Sequence, residues 1–259
     1  MYKNLSGKTV FITGASSGIG EAVAKAYAAA GSNVILTARR ADRLKALKAR
    51  LEAQYPTVKV YATALDVTDN AQVGQVFDDL PAEFSRIDIL INNAGLALNS
   101  APVDVISLDS INTTLDTNVK GVVHCTRAVL PKMKTQAATN NLAIGGHIVN
   151  LSSAVAHHAI ANGPIYCASK HAIDAITRSM RYDLANSKVK VSAVSPGYVQ
   201  TEFLEVATGS PDIAKQMYGS MVPLQPEDVA ETILFITSRP AHVDVADVLL
   251  YPHGQAGGQ

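Results

Sequence analysis

Tyr166 and Lys170 are the residues of this chain best placed by type and spacing to do chemistry. They stand four apart near the head of a helical pattern over 165–186. Both side chains therefore project from one face, about 5–6 Å apart at Cβ. An unperturbed tyrosine, with a pKa of about 10, exchanges protons poorly at neutral pH. A neighbouring ammonium favours the phenolate and lowers that pKa. The pair reads as a general acid or base, with Lys170 tuning Tyr166. Spacing alone does not establish this, because Tyr55 and Lys59 share it. There Pro56 disfavours helix at Tyr55, and a surface pair is the bland reading. The company of Tyr166 is what distinguishes it. Asn150, Leu151, Ser152 and Ser153 close an apolar run upstream, and Ser153 lies thirteen residues before Tyr166.

Positioning such a pair takes a scaffold, and the chain alternates strand and helix patterns throughout. Apolar runs predict strands over 8–13, 33–37, 58–64, 87–91, 147–151, 189–194 and 247–250. Helical patterns lie between them: from the first glycine turn to Gly31, then 41–53, 69–80, 108–134 with a break near Asn118, 165–186 and 226–237. The strands are nearly continuous apolar runs, as in a parallel sheet covered on both faces. The expected fold is α/β, one doubly wound dinucleotide-binding domain over 1–259. Such a sheet takes its ligand beyond the carboxyl ends of its strands. The stretch 198–224, with Gly209, Pro211 and Gly219, is long and turn-rich and reads as a substrate lid. Residues 135–146 read as a polar surface loop, and the glycine-rich tail 254–259 as loose unless a partner subunit holds it.

Composition removes several classes of function. Of 259 residues, 22 are basic and 22 acidic, and 47 % are apolar. Balanced charge gives no case for nucleic acid or an anionic membrane surface. No apolar run reaches membrane-spanning length, and the first residues lack a signal-peptide core. Cys125 and Cys167 form no disulfide framework, which fits a reducing, cytoplasmic setting. The seven histidines show no metal-ligand spacing, so no metal is expected.

The first glycine turn, Gly14-Ala15-Ser16-Ser17-Gly18-Ile19-Gly20, falls between a strand and a helix. Small residues there let a pyrophosphate approach backbone amides at a helix N-terminus. Taken together with Ser153, Tyr166 and Lys170, this turn resembles that of the short-chain dehydrogenase/reductase family. The glycine spacing matches that family and departs from its extended epimerase branch. Further matches fall in order at element ends. Asp66-Val67 resembles the segment that meets the adenine, a helix cap being the equal alternative. Asn93-Ala94-Gly95 resembles the backbone segment against the adenosine half. Pro196-Gly197, with Val199 and Thr201, resembles the segment that holds the nicotinamide amide. Asn118 matches the family's catalytic asparagine, which opens a helix for a proton-relay water. Ser153 matches the serine that hydrogen-bonds the substrate oxygen.

The resemblance implies an NADP(H)-dependent carbonyl reductase or alcohol dehydrogenase and a homo-oligomer, commonly a tetramer. Motifs in 224–243 are similar to the branch that acts on 3-hydroxy acids, serine and allo-threonine. By the same resemblance, Tyr166 and Lys170 also contact the cofactor, Lys170 through the nicotinamide ribose. Two rivals are a non-catalytic NADP sensor and a lyase or epimerase with bound NAD. Cofactor choice is expected from Thr37-Ala38-Arg39-Arg40, after the second strand. No acid stands at Thr37 or Ala38 to select NAD, and an arginine here accommodates a 2′-phosphate. Arg39 takes that role, Ser16 and Ser17 add hydroxyl donors, and Arg40 reads as a solvated charge opening the next helix.

Overall fold

The computed structural model describes residues 3–140, 143–219 and 221–255. β1 (Thr9–Thr13) is buried along its whole length. It feeds the glycine turn and α1 (Gly18–Ala29). Gly31 ends that helix region at φ +83°, a left-handed conformation that only glycine adopts without a Cβ penalty. There follow β2 (Asn33–Ala38), α2 (Ala41–Gln54), β3 (Val60–Ala64), α3 (Asn70–Asp78) and β4 (Ile89–Asn92). After a long loop come α4 (Leu108–Leu115), a π-helical turn (Asp116–Lys120) and α5 (Gly121–Thr139). The second half holds β5 (Gly146–Leu151), α6 (Pro164–Leu184) and β6 (Val189–Pro196). It closes with α7 (Phe203–Thr208), α8 (Pro211–Gly219), α9 (Pro226–Thr237) and β7 (Asp247–Leu250).

Among the described residues the strands form one seven-stranded sheet in the order β3-β2-β1-β4-β5-β6-β7, with every pairing parallel. Side chains alternate across a strand, so the central strands serve two cores. Val10 and Ile12 of β1 pack with Tyr27, Leu44 and Ile233 on one face. Phe11 packs on the other with Val129 and Met133, and stacks on Phe77 at 4.4 Å between ring centroids. Helices on both faces explain why the central strands β1 and β4 are buried along their whole length. The order reverses between β1 and β4. The crevice beyond their carboxyl ends is where a doubly wound sheet takes its ligand.

Three local expectations are corrected. The helix over 108–134 does not break at Asn118; it widens into the π turn and continues. Residues 135–146 are not all loop, since α5 runs on to Thr139. The Gln136 side-chain amide ties that last turn to the Ile87 carbonyl at 2.7 Å. Residues 141–142 of that segment lie outside the described residues. Residues 198–224, expected to be turn-rich, are half helical, with α7 and α8 separated at Gly209, φ +67°. The base of this stretch is closed, because Tyr198 and Gln200 exchange backbone hydrogen bonds with Leu224. The tail turns back as far as Gln255, whose side-chain oxygen accepts from the Tyr198 amide at 2.9 Å. Residues 256–259 lie outside the described part.

Candidate active site

The glycine turn is held from behind by Asn93. Its side-chain amide donates to the carbonyls of Thr13 at 2.8 Å and Gly14 at 3.2 Å. The Thr13 hydroxyl accepts from the Asn93 and Ala94 amides, both at 2.9 Å. Space explains the glycines. A Cβ on Gly20 would run into the Gly14 carbonyl, and one on Gly14 would come within 2.8 Å of the Asn93 amide nitrogen. Gly14 and Gly18 also have positive φ. Ser17 is the N-cap of α1, yet its side chain makes no capping bond. The first amides of α1 are thus left by their cap residue to face the crevice, as at an anion-binding helix terminus.

One cleft of about 700 Å³ runs from this turn to Tyr166. Gly14, Ser16, Ser17, Gly18, Ile19, Arg39, Asp66, Val67, Asn93, Ala94 and Gly95 line it, as do Ser153, Tyr166, Lys170, Pro196, Gly197, Val199 and Thr201. Of the sequence-predicted site residues, Gly20 and Asn118 stand just behind its walls. Cradle, uncapped helix terminus and cleft together fit a dinucleotide.

Lys170 is buried on α6, 6 % exposed, and its ammonium donates to the Leu151 carbonyl at 2.9 Å. It sits 5.8 Å from the centre of the Tyr166 ring. Burial brings its pKa down to about 8. The Tyr166 ring leans on Phe203 at 5.3 Å between centroids. Burial pushes the phenol up to about 12, with the Ser153 hydroxyl pulling it back and the Cys167 thiol adding to the rise. The expected lowering of Tyr166 by Lys170 is therefore not found. The ammonium donates one hydrogen bond to Leu151, and desolvation is the largest influence on the phenol.

Asn118 is buried in the π turn and fully engaged. It accepts from the Leu96 amide and donates to the Leu96 carbonyl, both at 2.8 Å, and donates to Ser169 Oγ at 3.0 Å. Ser169 in turn donates to the Tyr166 carbonyl at 2.7 Å. Asn118 thereby braces the loop after β4 against the first turn of α6. Asp66 is not a helix cap: its Oδ1 accepts from the Thr68 amide and hydroxyl at 2.9 and 2.8 Å. The cap of α3 is Asp69, which accepts from the Ala71 and Gln72 amides.

Arg40 departs furthest from expectation. It is no idle charge. Its Nε donates to Ser16 Oγ at 3.1 Å, Nη2 to Ser17 Oγ at 2.6 Å and Nη1 to Glu202 at 3.0 Å. Tyr218 of α8 is a second residue the sequence did not disclose. Its hydroxyl lies 2.7 Å from the Val199 carbonyl and accepts from the Thr201 amide at 3.3 Å. Both contacts join residues far apart in the chain, and no local pattern signals them. Phe203 was readable only as an apolar residue after Thr201.

The family model for short chain dehydrogenases matches residues 8–210. The chain belongs to that family. Curated short-chain dehydrogenase relatives extend the match over nearly the whole chain. Sulfoacetaldehyde reductase 2 of Chromohalobacter salexigens is 41 % identical, covering 95 % of both chains. The NADP-dependent 3-hydroxy acid dehydrogenase of Schizosaccharomyces pombe is 39 % identical, covering 98 % of this chain and 95 % of the other. A solved serine dehydrogenase, in its closed form with NADP+, is 37 % identical, covers 96 % of each chain and superposes with a TM-score of 0.89. The chain is accordingly an oxidoreductase.

Proposed function

We propose that this short-chain dehydrogenase interconverts small 3-hydroxy acids or β-hydroxy amino acids and their carbonyl forms with NADP(H). The observation that carries the reading is the convergence of Ser153, Tyr166 and Lys170 at the inner end of the cleft whose outer end holds Ser16, Ser17, Arg39 and Arg40. The relatives named for 3-hydroxy acids, serine and sulfoacetaldehyde support a small acid-bearing substrate. A nicotinamide dinucleotide held in this cleft would supply or accept the hydride. The protein's own residues do the rest. Ser153 and Tyr166 donate hydrogen bonds to the substrate oxygen, where negative charge develops. Tyr166, a neutral phenol well above neutral pH, delivers the proton in reduction. Lys170 lies behind it as the buried cation of the relay, and Asn118 holds the loop and helix that frame both. At the outer end, Arg40 with Ser16 and Ser17 takes the 2′-phosphate, and Arg39 stands beside them.

A second reading, a broad-specificity ketone reductase, is favoured by the apolar wall around Tyr166, with Leu96, Ile160, Phe203, Leu204 and Ile213. Following nicotinamide absorbance across hydroxy acids, β-hydroxy amino acids and simple ketones separates the two. The first reading expects acids ahead of their uncharged analogues. Turnover of hydrophobic ketones and alcohols alone overturns it, and no turnover of any overturns both in favour of a sensor. The lid spans 198–224 and closes over the substrate from the base at Leu224. We also infer a homotetramer in a reducing, cytoplasmic setting. The exposed Leu108 and Tyr182 on the long helices and the buried free thiols of Cys125 and Cys167 support it. A monomer in light scattering at micromolar concentration refutes the tetramer.

A further inference from the structure

Glu202 stands immediately before α7, at the start of the lid, and reaches back across the mouth of the cleft. Its carboxylate accepts from Arg40 at 3.0 Å, and from Arg43 at 2.8 and 3.1 Å. The two arginines hold it below the usual carboxylate range, Arg43 first. The same Arg40 guanidinium that touches Glu202 also touches both hydroxyls of the glycine turn. The carboxylate and the two serine hydroxyls are therefore separated by one guanidinium group. An anion seated on Ser16, Ser17 and Arg40 is separated from the Glu202 carboxylate by that one guanidinium, within the ~10 Å over which salt screens only partly.

We propose that Glu202 is a specificity-determining residue, a built-in carboxylate that competes with the cofactor's 2′-phosphate for Arg40 and so moderates the preference for NADP(H) over NAD(H). This rests on the proposed seat of the phosphate on Arg40, Ser16 and Ser17. A phosphate monoester carries nearly two negative charges at neutral pH. With Glu202 ionised, each of those charges is repelled, and Glu202 takes a third Arg40 donor beside the two turned to Ser16 and Ser17. Arg43 is the counterweight. It carries part of the carboxylate's charge and leaves Arg40 the freer to turn to the phosphate. NAD(H) presents a hydroxyl at that position and does not enter the competition.

The test is calorimetric titration of NADP+ and NAD+ into the cofactor-free protein, which needs no turnover. Glu202→Gln keeps a hydrogen-bond acceptor for both arginines and removes the charge. It is expected to raise the affinity ratio of NADP+ over NAD+ by about five- to thirtyfold, the effect of a like charge at this range, shrinking as salt is added. Arg43→Gln is expected to move the ratio the other way, because Glu202 then draws wholly on Arg40. An unchanged ratio in Glu202→Gln, or equal weakening of both cofactors, overturns the proposal and leaves Glu202 as a lid strut. Arg40→Leu separates the two layers. If it lowers the ratio while Glu202→Gln does not raise it, the inference fails and the phosphate seat stands. If Arg40→Leu leaves the ratio untouched, the phosphate seat fails and the inference with it.

Discussion

At the outer end of the cleft, Arg40, Arg43 and Glu202 hold their charges in solvent, between 42 % and 50 % exposed. At the inner end, the neutral Tyr166 phenol and the Lys170 ammonium are withdrawn from solvent. The difference decides what each end can do. Exposed ion pairs contribute about 0–1 kcal/mol and are screened by salt. They can be exchanged for a ligand's charge at little cost, which suits selection. Burial at the inner end moves Tyr166 up to about 12 and Lys170 down to about 8. It keeps the phenol protonated at neutral pH and brings the lysine within reach of it, which suits proton transfer. On the proposed roles, selection and proton transfer are separable properties of one cleft, and substitutions at one end should leave the other's property intact.

The largest expected effect lies at the inner end. Tyr166→Phe removes the transferable proton and keeps the ring on Phe203. Turnover in both directions should fall by about 10²–10⁴-fold, the span of general acid–base groups, measured as kcat with saturating NADP(H). Retention of most of the turnover would remove Tyr166 from the reaction.

At the outer end, Arg40→Leu should cost the preference for NADP(H) over NAD(H) roughly ten- to a hundredfold. A hydrogen bond to a charged group contributes about 1.5–3 kcal/mol, and about 1.4 kcal/mol is a factor of ten. Arg39→Leu should cost less, since Arg39 has no hydrogen bond to the glycine turn. The comparison is kcat/KM with each cofactor for both variants. The sequence favoured Arg39 for this place, so a larger loss in Arg39→Leu would restore that ranking.

The smallest effect is a pH dependence. The Tyr166 phenol stays protonated throughout the range from pH 6 to 9, so the donor does not titrate there. Lys170, lowered to about 8, does. Its cation is complete below that value and lost as pH rises through it. The rate of carbonyl reduction should fall as pH climbs past about 8, and Lys170→Arg should flatten whatever activity it keeps, because arginine does not deprotonate. A profile in the wild-type protein that is flat from pH 6 to 9 would break the link.

Most of this contrast was legible in the sequence at the inner end and least of it at the outer. Strands and helices showed themselves as apolar periodicity, and β1, the glycine turn and α1 are local in the chain. Tyr166 and Lys170 are brought together by four-residue spacing within one helix, α6. The π turn at Asn118 was read as a break, since a widened turn leaves no mark on the pattern of side chains. The rise in the Tyr166 pKa was missed because it depends on walls such as Phe203, contributed from elsewhere in the chain. Arg40 was misread for the same reason. Its partner Glu202 lies on the far side of the fold's sequence, 162 positions away, and only the sheet topology brings them together.

The most direct test of the separation is the affinity of Tyr166→Phe for NADP+, titrated by calorimetry into the cofactor-free protein. If the inner end does chemistry and the outer end selects, the dissociation constant should stay within about twofold of the wild type, ~0.4 kcal/mol, in a variant whose turnover has collapsed. A weakening of about tenfold or more would contradict the account. It would show that the phenol's contact carries much of the cofactor's affinity, and that the two ends of the cleft act as one.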